Sequence, residues 1–159
     1  MTVVVEHLER QAASSRRLLG IVLAQGEAIR SQDVERVLAR LGDVQTEMVT
    51  RQRLELERDE LLGETARRLG RPQDEITLDD ILVGSPYPEA QRARSLSAEV
   101  QGLVREASQV HQQNQVLIRQ ELSFLAHLMS ILSGAPQAGY LPTGWAPAQQ
   151  PAHAVDARA

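Results

Sequence analysis

Along residues 93–131, apolar or small side chains return at steps of three and four almost without a break. They are Ala93, Leu96, Val100, Leu103, Ala107 and Val110, then Asn114, Leu117, Glu121, Phe124, Leu128 and Ile131. This spacing predicts one long helix that presents a continuous seam to another helix. Asn114 and Glu121 interrupt the seam, and there a second stripe begins with Ile118, Leu122, Leu125, Met129 and Leu132. A helix with two apolar faces at one end has more to bury than a single neighbour covers.

Two further long helices are expected upstream, over about residues 3–30 and 34–69. In the first, Val4, Leu8, Ser15, Leu19, Val22 and Ile29 share a face, with Gly26 completing the spacing. Ser31-Gln32-Asp33 offers capping residues before a fresh register, so a break or kink is expected there, with a continuous helix as the alternative. In the second, Val34, Val37, Leu41, Val44 and Met48 form a seam whose register slips afterwards, with Leu54, Leu61 and Leu62 continuing it less regularly. The other face is densely charged, with Glu47–Arg51 and Glu64–Arg68 at i,i+4 spacing. Gly70 suits the position just past a helix end, and Pro72 follows as a stop. Thr77-Leu78-Asp79-Asp80-Ile81-Leu82 reads as an N-cap and one helical turn, and Pro88 opens the last helix, which runs to about residue 133. At 1.5 Å per residue that helix is about 65–70 Å long, so an elongated molecule is expected.

The fold class is therefore all-α: an elongated bundle of three long helices, with a coiled-coil-like antiparallel hairpin. Residues 1–134 form the helical domain, with an acidic connector over 70–87. Residues 135–159 are rich in Ala, Pro and Gln with almost no charge, so a disordered tail is expected.

Composition narrows the function classes. The chain of 159 residues has no cysteine, which excludes disulfides and thiolate metal sites. Its 17 basic residues are all arginine, which reads as codon bias more than chemistry. Acids and bases balance over residues 1–33, 34–71 and 89–133, and the net charge of −4 traces to Asp74, Glu75, Asp79 and Asp80 between Pro72 and Pro88. No basic stripe marks a nucleic-acid binder. No apolar run approaches the roughly 20 residues that span a bilayer, and the N-terminus has no basic region before an apolar run as a signal peptide would.

Catalytic chemistry finds no constellation. His7, His111, His127 and His153 do not pair at ligand spacing, and there is no phosphate loop or nucleophile elbow. No metal, cofactor or enzymatic activity is expected. Single glycines inside the helices, such as Gly20, Gly26, Gly42, Gly63 and Gly102, read as close packing or codon bias, or else as a soft bundle that tightens on a partner. Asn114 reads either as a register-setting polar residue in a bundle or as part of a partner site. The stripe from Ile118 to Leu132 packs on the first helix or forms a partner groove, where Met129 would give an adaptable surface. Tyr140 and Trp145 are plain tail residues or a short docking motif.

Asn114-Gln115-Val116-Leu117-Ile118, followed by Leu122, Leu125 and Leu132, resembles the Asn-x-x-Leu-Ile pattern in the last helix of FlgN-type flagellar export chaperones. Leu18-Leu19 with Gln25, Ala28 and Asp33, then Leu61-Leu62, Leu69-Gly70 and Thr77-Leu78, are similar to other parts of that family. Tyr140 followed by Gly144 is similar to its Tyr-x-x-x-Gly element. The resemblance covers about residues 8–144. It implies a cytoplasmic, non-catalytic type III export chaperone. Such a protein binds the C-terminal helical segments of hook–filament junction proteins, keeps them soluble and delivers them to the export gate. Carried onto this chain, Asn114, Leu117, Ile118, Leu122, Leu125, Met129 and Leu132 would lie in or beside the client site, and Tyr140 would dock on the export gate. The competing reading is a structural coiled-coil scaffold or homodimeric spacer, self-associated through the seam.

Overall fold

The computed structural model describes residues 3–133. Tyr140 and the rest of the tail lie outside the described residues. The chain divides into two compact units, Met1–Leu122 and Ser123–Ala159. The described residues are all-α. They hold four α-helices rather than three: α1 (Val3–Arg30), α2 (Val34–Leu69), the one-turn α3 (Leu78–Ile81) and α4 (Tyr87–Leu132), with a 3₁₀ turn at Gln73–Glu75.

In the first unit, α1 and α2 form an antiparallel hairpin. Between them the chain reverses rather than continuing as one helix. Gln32 takes a left-handed φ of 56°, and the Asp33 carboxylate accepts from the Arg36 N–H at 3.0 Å as an N-cap. Gly70 ends α2 with φ 64°, its N–H donating to the Ala66 carbonyl, a conformation that glycine adopts without steric cost. Polar bridges tie the hairpin along its length, with His7 and Arg10 on Glu57, Ser14 and Arg17 on Glu47, and Arg51 on Ser15.

α4 runs parallel to α1. Arg92 pairs with Glu9, Glu99 with Arg16, and Asn114 with the Val22 carbonyl, so both chains climb together. Near the connector, Val4, Val5, Leu8 and Ala12 of α1 pack on Ala90, Ala93 and Leu96 of α4, with Leu82 beneath. Ala12 and Ala93 are fully buried, and their small side chains let the two backbones approach. Each larger aliphatic buried here contributes about 1.5–3 kcal/mol. The connector belongs to this core. Thr77 and Asp80 form a capping box that fixes α3, and Leu78 and Ile81 pack on the cluster. Two of its acids are matched by arginines: Asp79 by Arg94 of α4 at 2.9 Å and Asp80 by Arg71, just past the end of α2, at 3.1 Å.

Two expectations for α2 are corrected. The seam does not face the interior as a whole: Val37 and Val44 are half-buried, but Val34, Leu41 and Met48 are exposed. Glu47, expected on the charged outer face as a partner of Arg51, is buried and faces α1 instead. The inward positions are fixed by contact with α1, and charge alone does not reveal them.

Candidate functional site

Burial along α4 follows its seam and then stops. Ala93, Leu96, Ala107 and Asn114 are buried, while Val100, Leu103, Val110, Leu117 and Glu121 are half-buried. Glu121 accepts from the Gln32 amide at 3.3 Å, which joins α4 to the hairpin turn. Leu122, at the end of the first unit, is exposed. The second unit begins there. Within it, the last turns of α4 expose Phe124, Leu125, Leu128, Met129, Ile131 and Leu132, the last by 81%. Aliphatic and aromatic groups left in water over three consecutive turns mark a broad apolar surface, with Ser123, His127 and Ser130 on the remaining side of the helix.

The seven residues read as a client site thus separate. Asn114 is 1% exposed and committed to the bundle. Its Nδ2 donates to the Val22 carbonyl at 2.7 Å and lies 3.4 Å from the Gln25 Oε1. Its Oδ1 is buried without a hydrogen-bond partner and lies over Gly26; a Cβ added at Gly26 would meet it at 2.7 Å. Gly26 therefore admits the amide, and the amide fixes α4 against α1. Leu117 and Ile118 border the bundle, half-buried, whereas Leu122, Leu125, Met129 and Leu132 are open to solvent.

One polar centre escaped the sequence reading. Glu47, 6% exposed, accepts from the Ser14 hydroxyl at 2.5 Å and from Arg17 Nε at 2.9 Å. Burial pushes its carboxyl up, but the hydrogen bonds from Arg17 and Ser14 and the charges of Arg17 and Arg51 outweigh it and hold the carboxyl below its ordinary range. The available signal was spacing: Glu47 sits three residues after Val44 and seven before Leu54, on the inward face. A carboxyl whose pKa is lower folded than unfolded stabilises fully above the unfolded value, and loses that contribution as pH falls through the folded one. Glu47→Ala should therefore cost about 1.5–3 kcal/mol at neutral pH and clearly less near about pH 3. Urea unfolding at both pH values checks this; an equal cost at both would remove the ionised carboxylate from the account.

Among the described residues, no group of three or more His, Cys, Asp or Glu could hold a metal ion. No helix among them is long and apolar enough to cross a membrane. The features that stand out are an apolar helix end in the second unit and a groove of about 700 Å³ in the first. Compared with known proteins, the chain matches one family model, described as FlgN protein, over residues 1–148. No curated protein and no solved structure matches it.

Proposed function

Because the chain belongs to the FlgN family, whose members are flagellar export chaperones, we propose that it binds the C-terminal helical segments of hook–filament junction proteins and delivers them to the type III export gate. It does so in the cytoplasm and without catalysis. One observation carries the reading: the last turns of α4 present Leu125, Met129 and Leu132 uncovered. Leu122, at the end of the first unit, continues their three- and four-residue spacing along the same helix. An amphipathic helix recognises such a row through its own i, i+3, i+4 and i+7 residues.

Leu122, Leu125, Met129 and Leu132 are the contact residues, with Leu117 and Ile118 at their margin. Asn114 positions α4 and stays out of the contact. The helical domain through residue 134 holds the client, and Tyr140 in the 135–159 tail docks on the gate. Burying two such side chains at about 1.5–3 kcal/mol each is worth about two orders of magnitude or more in affinity. Leu125→Asp/Met129→Asp is thus expected to weaken binding of a junction protein's C-terminal segment by at least about a hundredfold, read by calorimetric titration. A double variant of unchanged helicity that binds as tightly as wild type would sink the site. The same titration with the purified gate component, comparing Tyr140→Ala with wild type, reads the docking role.

The exposed row on α2 favours a second reading, a homodimeric coiled-coil spacer. Light scattering separates the two, because an obligate dimer with no affinity for the segment supports the spacer.

A further inference from the structure

α2 and α4 both pack on α1, and between them the first unit holds an open groove of about 700 Å³. Its floor is α1, with Leu8. Its walls carry Leu54 and Leu62 from α2 and Val100 and Val104 from α4, and Ile81 of α3 closes one end. Three guanidinium groups, Arg51, Arg58 and Arg105, line it against one carboxylate, Glu55. Arg58 is paired with Glu55 at 2.8 Å and Arg51 donates to the Ser15 hydroxyl at 3.2 Å, while Arg105 is exposed. The lined end is therefore net positive.

Both walls continue past this end by helical spacing. From Leu62, Arg58, Glu55 and Arg51, the α2 face steps on through Met48, Val44, Leu41, Val37 and Val34 at alternating intervals of three and four. From Gln101 and Val104, the α4 face steps through Ser108, His111, Gln115, Ile118 and Leu122 at the same intervals. Five apolar residues on α2 thus stand across from the α4 wall that ends in Ile118 and Leu122. Three of the five are exposed, Val34 by 68%. Two parallel walls on a helical floor form three sides of a four-helix bundle.

We infer that the Val34–Met48 row of α2 is a second wall for the client, so that an amphipathic helix lies between α2 and α4 as a fourth helix of the bundle. The inference rests on the proposed chaperone reading and adds α2 to it. The row from 34 to 48 spans about 21 Å, which fits an occupant of roughly 14–18 residues. The occupant's apolar face meets the α2 row and Ile118 and Leu122, its polar side faces Ser108, His111 and Gln115, and it carries carboxylates at the end that meets Arg51, Arg58 and Arg105.

The test is titration of the whole chain with a synthetic peptide of a junction protein's C-terminal helical segment. Leu41→Asp/Met48→Asp alters exposed side chains, so helicity and melting temperature should stay near wild type. Affinity should fall at least about tenfold. If this variant binds like wild type while Leu125→Asp/Met129→Asp does not, the α2 wall is overturned and the α4 site survives. If neither variant loses affinity, both ideas fall. If Leu41→Asp/Met48→Asp changes the sedimentation of the chain alone but not its affinity for the peptide, the row is covered by a second copy and the inference is overturned. Arg105→Glu should weaken binding more at low salt than at high salt; the same loss at both would overturn the acidic end of the occupant.

Discussion

Asn114→Asp is expected to destabilise the protein by about 3–5 kcal/mol at neutral pH. The substitution keeps shape and volume and exchanges a donor for a charged acceptor. Nδ2 now donates to the Val22 carbonyl at 2.7 Å; a carboxylate there would set two acceptors against each other in a site 1% exposed. No cation is bonded to Asn114, whose hydrogen-bond partners are Val22 and Gln25. Protonation relieves the conflict, because a carboxylic acid can donate to Val22. The folded-state pKa of the new group should therefore be raised. The penalty is complete above that raised value and shrinks as pH falls through it. Circular-dichroism melts at about pH 8 and about pH 5 should show the gap from wild type narrowing on acidification. A variant that melts with wild type at both would mean that α4 is not held at this point.

Gly26→Val is expected to cost about 2–4 kcal/mol. A helix interior normally rewards replacement of glycine, by about 1 kcal/mol for alanine. Here the first added carbon meets Asn114 Oδ1 at 2.7 Å, closer than packed atoms tolerate. The amide could yield only by leaving the Val22 carbonyl. The steric term therefore wins, and valine adds two methyl groups to it. The decisive comparison is made in an Asn114→Ala background, which removes the obstructing oxygen. There Gly26→Ala should be neutral or stabilising, and a double-mutant cycle should return a coupling of about 1–3 kcal/mol. Additive effects would separate the two residues. Gly20, Gly42 and Gly102 have nothing within 4 Å of an added Cβ, so they serve as controls in which alanine should gain only helix propensity.

The two positions show where single-sequence reading succeeds and where it stops. The α4 seam was legible because its neighbour, α1, covers one narrow stripe, and such a stripe has a period. Asn114 and Gly26 were both legible as members of their faces. Their mutual dependence was not, since it arises from a contact between residues 88 positions apart. Glu47 was misread because a carboxylate is ordinarily solvated; its partners Ser14 and Arg17 come from another helix. The acids of the connector seemed uncompensated for the same reason, although Arg71 and Arg94 meet them in space. On α2, periodicity identified Val34, Leu41 and Met48 as a row but could not say whether the chain itself covers it. The exposed end of α4 shares that ambiguity, and its reading as a client surface rests on family resemblance rather than on spacing.

The parallel course of α1 and α4 bears on the order in which the molecule assembles. α1 and α2 meet across a three-residue reversal, so their pairing closes a minimal loop and can form as soon as α2 leaves the ribosome. α4 cannot begin to dock until the connector has been made, because its first turns pair with residues more than 80 positions earlier, as Arg92 does with Glu9. Until then Val4, Leu8 and Ala12 have no cover. A fragment ending at Gly70 should therefore behave as an incomplete hairpin, and α4 supplied as a separate chain should restore it, which would make the last helix an exchangeable part.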